Sequence, residues 1–122
     1  MNRVQLTARV VREPELRYLP SGVPVARLSL EFDRVARRAD GLQEKVTGHV
    51  AAVAAGPEAL LAQERLRRGG EVYVEGQLQA HSVTAPEGVT RTSIEIRVEH
   101  LEVLTAGPEP EPELPLEAPP GD

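Results

Sequence analysis

The chain has 122 residues, enough for one domain and too few for two comfortable ones. It has no cysteine, which excludes disulfides and thiolate metal sites, and its three histidines offer no ligand spacing for a metal. The net charge of −5 is unevenly spread: every Lys and Arg precedes residue 105, while Glu109, Glu111, Glu113, Glu117 and Asp122 follow it and account for the whole excess.

The opening "MNRVQLTARV" has no long apolar run, so no signal peptide is expected. No stretch reaches the ~20 apolar residues of a membrane span, so the expected setting is the cytoplasm. Val4, Leu6, Ala8 and Val10 alternate with Arg3, Gln5, Thr7 and Arg9, the period of a half-buried first strand. A Pro20-Ser21-Gly22 turn then leads to a second strand. There Ala26, Leu28, Leu30 and Phe32 face in, and Arg27, Ser29 and Glu31 face out. Residues 33–44 are polar, with Asp40-Gly41 at the tip of a hairpin. A small, alanine-rich third strand covers about Lys45 to Ala54.

"GPEALLAQERLRRGG" predicts a helix. Pro57 and Glu58 suit its first turn, and Leu60, Leu61 and Leu66 give it an apolar side. Gly69-Gly70 stops it. A fourth strand, "EVYVEGQLQAH", turns Val72, Val74, Leu78 and Ala80 inward, with Gly76 marking a bulge or tight bend. After the loop "SVTAPEGVT" a fifth strand places Ile94, Ile96 and Val98 inward. Three strands, one helix and two strands predict an all-β fold with one helix, a five-stranded OB-fold barrel with the helix between strands three and four, although an open α+β sheet shares this pattern. The domain covers residues 1–104. Residues 105–122, "TAGPEPEPELPLEAPPGD", read as a disordered, Pro/Glu-rich acidic tail.

Two blocks carry a family resemblance. "NRVQLTARVVREPELRYLPSGVPVARLSLEF" and "LRRGGEVYVEGQL" resemble, in the same order, two blocks of bacterial single-stranded DNA-binding proteins (SSB). "MNRV" and "PSGVP" are also similar to primosomal replication protein N, a smaller member of that group. The resemblance implies an OB-fold that binds single-stranded DNA in replication, recombination or repair. It also implies a homodimer or homotetramer, with subunit contacts expected at Val4, Leu6 and Tyr73. Other replication proteins are further partners on this reading, and no cofactor is implied.

In the family, aromatic side chains stack on bases. At the matching positions this chain has Val35, His49, Ala55 and Val83, and the hairpin aromatics of the smaller member would fall near Leu42 and Val46 or Thr47. DNA binding is then expected to rest on charge. The candidates are Arg27, Arg34, Arg37, Arg38 and Lys45 around the second strand and hairpin, His49, and Arg91 and Arg97 on the fifth strand. Glu31, Asp33, Asp40 and Glu44 are interspersed, so the same bases also fit an ordinary solvated face. His49 suits stacking on a base, or a place in an interface or the core. Tyr18 is expected to pack at the base of its hairpin.

"GPEAL" lacks the Lys-Ser/Thr pair of a phosphate loop and reads as a helix cap. No nucleophile–base pair or carboxylate dyad stands out, so no catalyst is expected. The tail has Leu114 and Leu116 among its acids; it reads as solubilising, or as a competitor for the basic face. The alternative to DNA binding is a protein–protein adaptor that has lost its stacking platform.

Overall fold

The computed structural model describes residues 1–107. The acids from Glu109 onward, with Leu114 and Leu116, lie outside the described residues. Six strands and one helix follow in order: β1 (Val4–Val10), β2 (Glu15–Tyr18), β3 (Pro24–Arg37), β4 (Gln43–Ala55), α1 (Pro57–Arg65), β5 (Glu71–Thr84) and β6 (Thr90–Thr105).

Five of the strands close a ring. Sheet order runs β1-β5-β6-β4-β3, and β3 returns to β1 through Arg9↔Glu31 and Val10↔Leu30. The sixth strand, β2, was not foreseen as a strand. It lies on the same edge of β3 that β1 uses, with Glu15↔Arg27 to Tyr18↔Pro24 in register. Pro14 separates the two segments, and a proline cannot donate to a ladder, so the strand breaks there and resumes. β4 and β6 pair in parallel at Ala51↔Glu95, Ala52↔Ile96 and Val53↔Arg97; every other pairing is antiparallel. The architecture is the OB-fold barrel read from the alternation.

The core collects the inward positions of every ring strand. Ala8, Val10, Ala26, Leu28, Leu30, Ala52, Val72, Val74, Ile96 and Leu101 are buried together. Gly76 is where the ladder must shift. Glu75 pairs with His100 and Gly76 with Val98, leaving Glu99 unpaired in a bulge.

α1 covers one end of the ring. Gly56 caps it at φ 70°, a left-handed value suited to glycine. The helix ends at Arg65, before the expected Gly69-Gly70 stop. Its buried face is Ala59 and Ala62, with Leu66 buried just beyond. Leu60 is 45% exposed, against expectation: the short alanines leave the helix close to the barrel, and Leu60 turns away from that face. The exit is pinned to β1, with Val10 N–H donating to the Gly70 carbonyl at 2.9 Å and Gly69 N–H to the Val10 carbonyl at 2.7 Å.

Two hairpins project beyond the ring, because β3–β4 stays in register to Arg37↔Gln43 and β5–β6 to Thr84↔Thr90. The second arm was expected to be a loop from Ser82. It is a ladder instead, laced by hydroxyl pairs Ser82–Thr92 and Thr84–Thr90, both at 3.1 Å. Both arms close with one turn design. A glycine with positive φ donates its N–H three residues back, Gly41 to Arg38 and Gly88 to Ala85. The β2–β3 turn repeats it, Gly22 to Leu19.

Candidate nucleic-acid interface

Strand alternation sets which bases share a face. Along β3 the outer positions are Arg27, Ser29, Glu31, Asp33, Val35 and Arg37. Register carries this face onto β4 at Val53, Ala51, His49, Thr47, Lys45 and Gln43. The parallel pairing with β6 then adds Glu95 and Arg97, with Ser93 and Arg91 two and four residues back on that strand. Arg27, Arg37, Lys45, His49, Arg91 and Arg97 therefore share the outer face. Arg34, opposite Val46, falls on the other face of its arm, and Arg38 sits in the turn.

Beneath these bases lies a row of carboxylates. Glu95 is buried, accepting from Arg27 Nη1 at 3.1 Å and from Gln79 Nε2 at 2.9 Å. Glu31 accepts from Arg9 Nε at 3.2 Å and lies 3.5 Å from His49 Nε2. Asp33 takes both terminal nitrogens of Arg9, at 3.2 and 3.1 Å. It also accepts from the Thr47 hydroxyl at 3.3 Å and lies 3.5 Å from Lys45 Nζ. The hydrogen bonds from Arg9 hold the Asp33 carboxyl below its ordinary range, and in return the Arg9 guanidinium titrates higher than usual. Arg38 pairs with Asp40 at 3.2 Å. Among the described residues, Arg34, Arg37, Arg91 and Arg97 have no carboxylate within 4.0 Å.

The face is hollowed over β3 and β4. A trough of about 530 Å³ has Ser29, Ala51, Leu30 and Val50 along its floor and Arg12, Arg27 and His49 on its walls. Val11 closes it on the β1 side, and Ser93 and Ile94 of the second arm close it on the other. A second hollow of about 210 Å³ continues past Arg27, lined by Glu15, Arg17, Val25 and Val53. The floor is small because β4 is alanine-rich, and that leaves room above it.

Among the described residues, no Phe or Tyr ring lines either hollow, and the His49 imidazole is the one ring on the walls of the first. Phe32 is turned inward and packs against the core. Tyr18 is 63% exposed at the end of β2, so it does not pack under its hairpin as expected. Tyr73 lies on the outer face of β5, opposite Thr7, with its hydroxyl donating to Glu75 at 2.6 Å. That bond raises the Tyr73 phenol and lowers the Glu75 carboxyl. Val4 and Leu6 pack toward the core, on the face of the sheet opposite Tyr73.

Sequence reasoning missed Arg9, Arg12 and Arg17 as parts of this surface. Arg9 stood visibly on the polar face of β1, but its partners are 22 and 24 residues away and only the ring closure joins them. Among the described residues no cluster of three potential ligands suits a metal ion. Nor is any helix among them long and apolar enough to cross a membrane.

The model of the single-strand binding protein family matches residues 1–104. The single-stranded DNA-binding protein of Helicobacter hepaticus is 31% identical over 107 residues, covering 88% of this chain and 63% of that protein. The one from Wolinella succinogenes is 32% identical over 103 residues, covering 84% and 64%. The chain thus spans a little under two thirds of the length of these curated relatives. A crystal structure of a deletion mutant of the single-stranded DNA binding protein from Thermus aquaticus shares the fold, with TM-score 0.76, 22% identity, and 85% of this chain and 50% of that one covered. The Plasmodium falciparum SSB, solved with ssDNA, superposes with TM-score 0.78 at 26% identity over 85% of this chain and 95% of that one. Ring closure, the helix between β4 and β5, and a family match over the whole barrel place this chain in the single-strand binding protein family.

Proposed function

We propose that this protein binds single-stranded DNA without base preference, along the outer face of β3, β4 and β6, holding the strand chiefly by its phosphates. The observation that carries the reading is the trough walled by Arg12, Arg27 and His49 and continued past Arg27 toward Arg17. Arg37 and Lys45 on the first arm, and Arg91 and Arg97 on β6, extend the same basic track. The structural neighbour solved with ssDNA supports the ligand class. The protein works as a binder with no chemistry of its own, in replication, recombination or repair within the cytoplasm, alongside other replication proteins.

Stacking adds ~1–3 kcal/mol per base where aromatic platforms exist. With three or four such platforms missing, affinity falls by at least roughly 3 kcal/mol, on the order of a hundredfold. Binding is therefore weak and steeply salt-dependent.

A homo-oligomer belongs to the same proposal. Val4–Ala8 of β1 pair with β5 on one side and have no ladder partner on the other among the described residues. An open edge of this kind is a template for a strand of a second copy. Light scattering across a concentration series tests it: a monomer throughout rejects it.

Fluorescence anisotropy with labelled oligo-dT at several salt concentrations tests the DNA reading. The expected result is binding at low salt that weakens by about 0.7 log units per phosphate contact for each log unit of salt. No binding at low salt and high protein concentration overturns it and leaves the adaptor reading. Tight binding that survives high salt would overturn the electrostatic mechanism.

A further inference from the structure

We infer that Glu31 and Asp33 are internal stand-ins for phosphate that set the affinity of this face by keeping Arg9 occupied; the inference rests on the single-strand reading above. Arg9 turns three of its five N–H donors onto these two acids, Nε at 3.2 Å on Glu31 and one hydrogen of each terminal nitrogen at 3.2 and 3.1 Å on Asp33. A guanidinium binds carboxylate and phosphate with the same fork, so the two compete for one geometry. The acids are also the inner layer. Their side chains are 29% and 26% exposed, against 63% for His49 and 73% for Lys45, which lean on them from outside at 3.5 Å.

Arg27 is held differently. It spends one terminal nitrogen on Glu95 and keeps its remaining donors. Arg9 therefore lies on the face with its charge already paired and two N–H donors left for a strand, while Lys45 meets a phosphate with Asp33 just behind it. Two fixed carboxylates under the track lower its attraction for a polyanion along the whole approach. A binder built this way releases its strand readily, which suits a protein that must yield single strands to whatever acts on them next.

The test is the double variant Glu31→Gln, Asp33→Asn, which keeps side-chain shape while removing both charges and the two-oxygen grip of Asp33 on Arg9. Oligo-dT affinity at low salt should rise by about tenfold, and the salt slope should steepen by about 0.7 as Arg9 takes a phosphate. Adding Arg9→Gln to the double variant should return the salt slope to its wild-type value and remove most of the affinity gain. Unchanged or weaker binding by the double variant overturns the inference, and so does a steepened slope that survives Arg9→Gln. Should the double variant fail to fold, Asp33→Asn alone is read the same way. Wild-type protein is titrated in parallel: if neither it nor the variants bind at low salt, the single-strand reading itself has failed, whereas wild-type binding without the gain rejects this inference alone.

Discussion

Phe32 faces Gly48 directly across the β3–β4 ladder, and its ring fills the space a side chain there would need. A Cβ at position 48 would stand 2.8 Å from the ring's Cζ. An aromatic lying over a cross-strand glycine restores packing that the glycine forfeits. The only phenylalanine of the chain is thus committed to the barrel wall. Phe32→Ala should cost about 2 kcal/mol, less than for a fully buried phenylalanine because the ring is partly exposed. Denaturant unfolding measures the loss, and the salt slope of DNA binding should stay unchanged.

Faces separate the arginines of the first arm. Arg37 and Arg97 lie on the outer face with no carboxylate in reach among the described residues, whereas Arg34 lies on the other face. Arg37→Ala with Arg97→Ala should flatten the salt slope by about 1.4, two contacts at about 0.7 each. Arg34→Ala should leave it where it was. Equal effects of Arg34 and Arg37 would mean that the strand takes a different path.

Acid should weaken the fold through Asp33. Its folded-state pKa lies below the unfolded value because Arg9 bonds the charged form. The unfolded chain then binds more protons in the window between the two values. The stabilisation is complete above the unfolded value, about 3.9, and is lost as pH falls through the folded one. Glu75, lowered by its bonds from Tyr73 and Gln5, acts with the same sign. Melting temperatures below about pH 4 should fall less steeply in Asp33→Asn than in wild type.

Gly76 and Gly22 make a matched pair of tests. A Cβ on Gly76 would overlap the Arg97 carbonyl oxygen, so the obstacle is backbone and no rotamer relieves it. Gly76→Ala should destabilise by about 3 kcal/mol or more, as the bulge must reopen. A Cβ on Gly22 meets nothing within 4 Å, and the cost comes only from its φ of 93°. Gly22→Ala should therefore lose about 1–2 kcal/mol. Chemical denaturation of the two variants side by side gives the ordering.

The barrel was legible where side chains alternate. Ala26, Leu28 and Leu30 are buried as their period requires, and Gly76 sits at the bulge it suggested. β2 was not legible, because "ELRY" offers a single inward apolar residue, Leu16, and becomes a strand only by lying against β3. The second arm was hidden for a related reason. Ser82, Thr84, Thr90 and Thr92 are polar on their shared face, and their pairing is visible only once the strands meet. In the candidate interface, the basic residues were legible by type, but sorting Arg34 from Arg37 depends on parity counted from a fixed register. The bond of Arg9 to Glu31 and Asp33 depends on ring closure, which no local window contains.

The two arms have one further property. Each is an unbroken ladder from the ring to a turn of the same design, so each can change length without being redesigned. Removing two cross-strand pairs behind a turn would shorten an arm by about 7 Å and leave every remaining side chain on its present face. Removing one pair would exchange the faces of all that lies beyond the cut. Arm length therefore comes in steps of two residues per strand, and the reach of the proposed binding face can be adjusted as on a notched ruler while the barrel stays untouched.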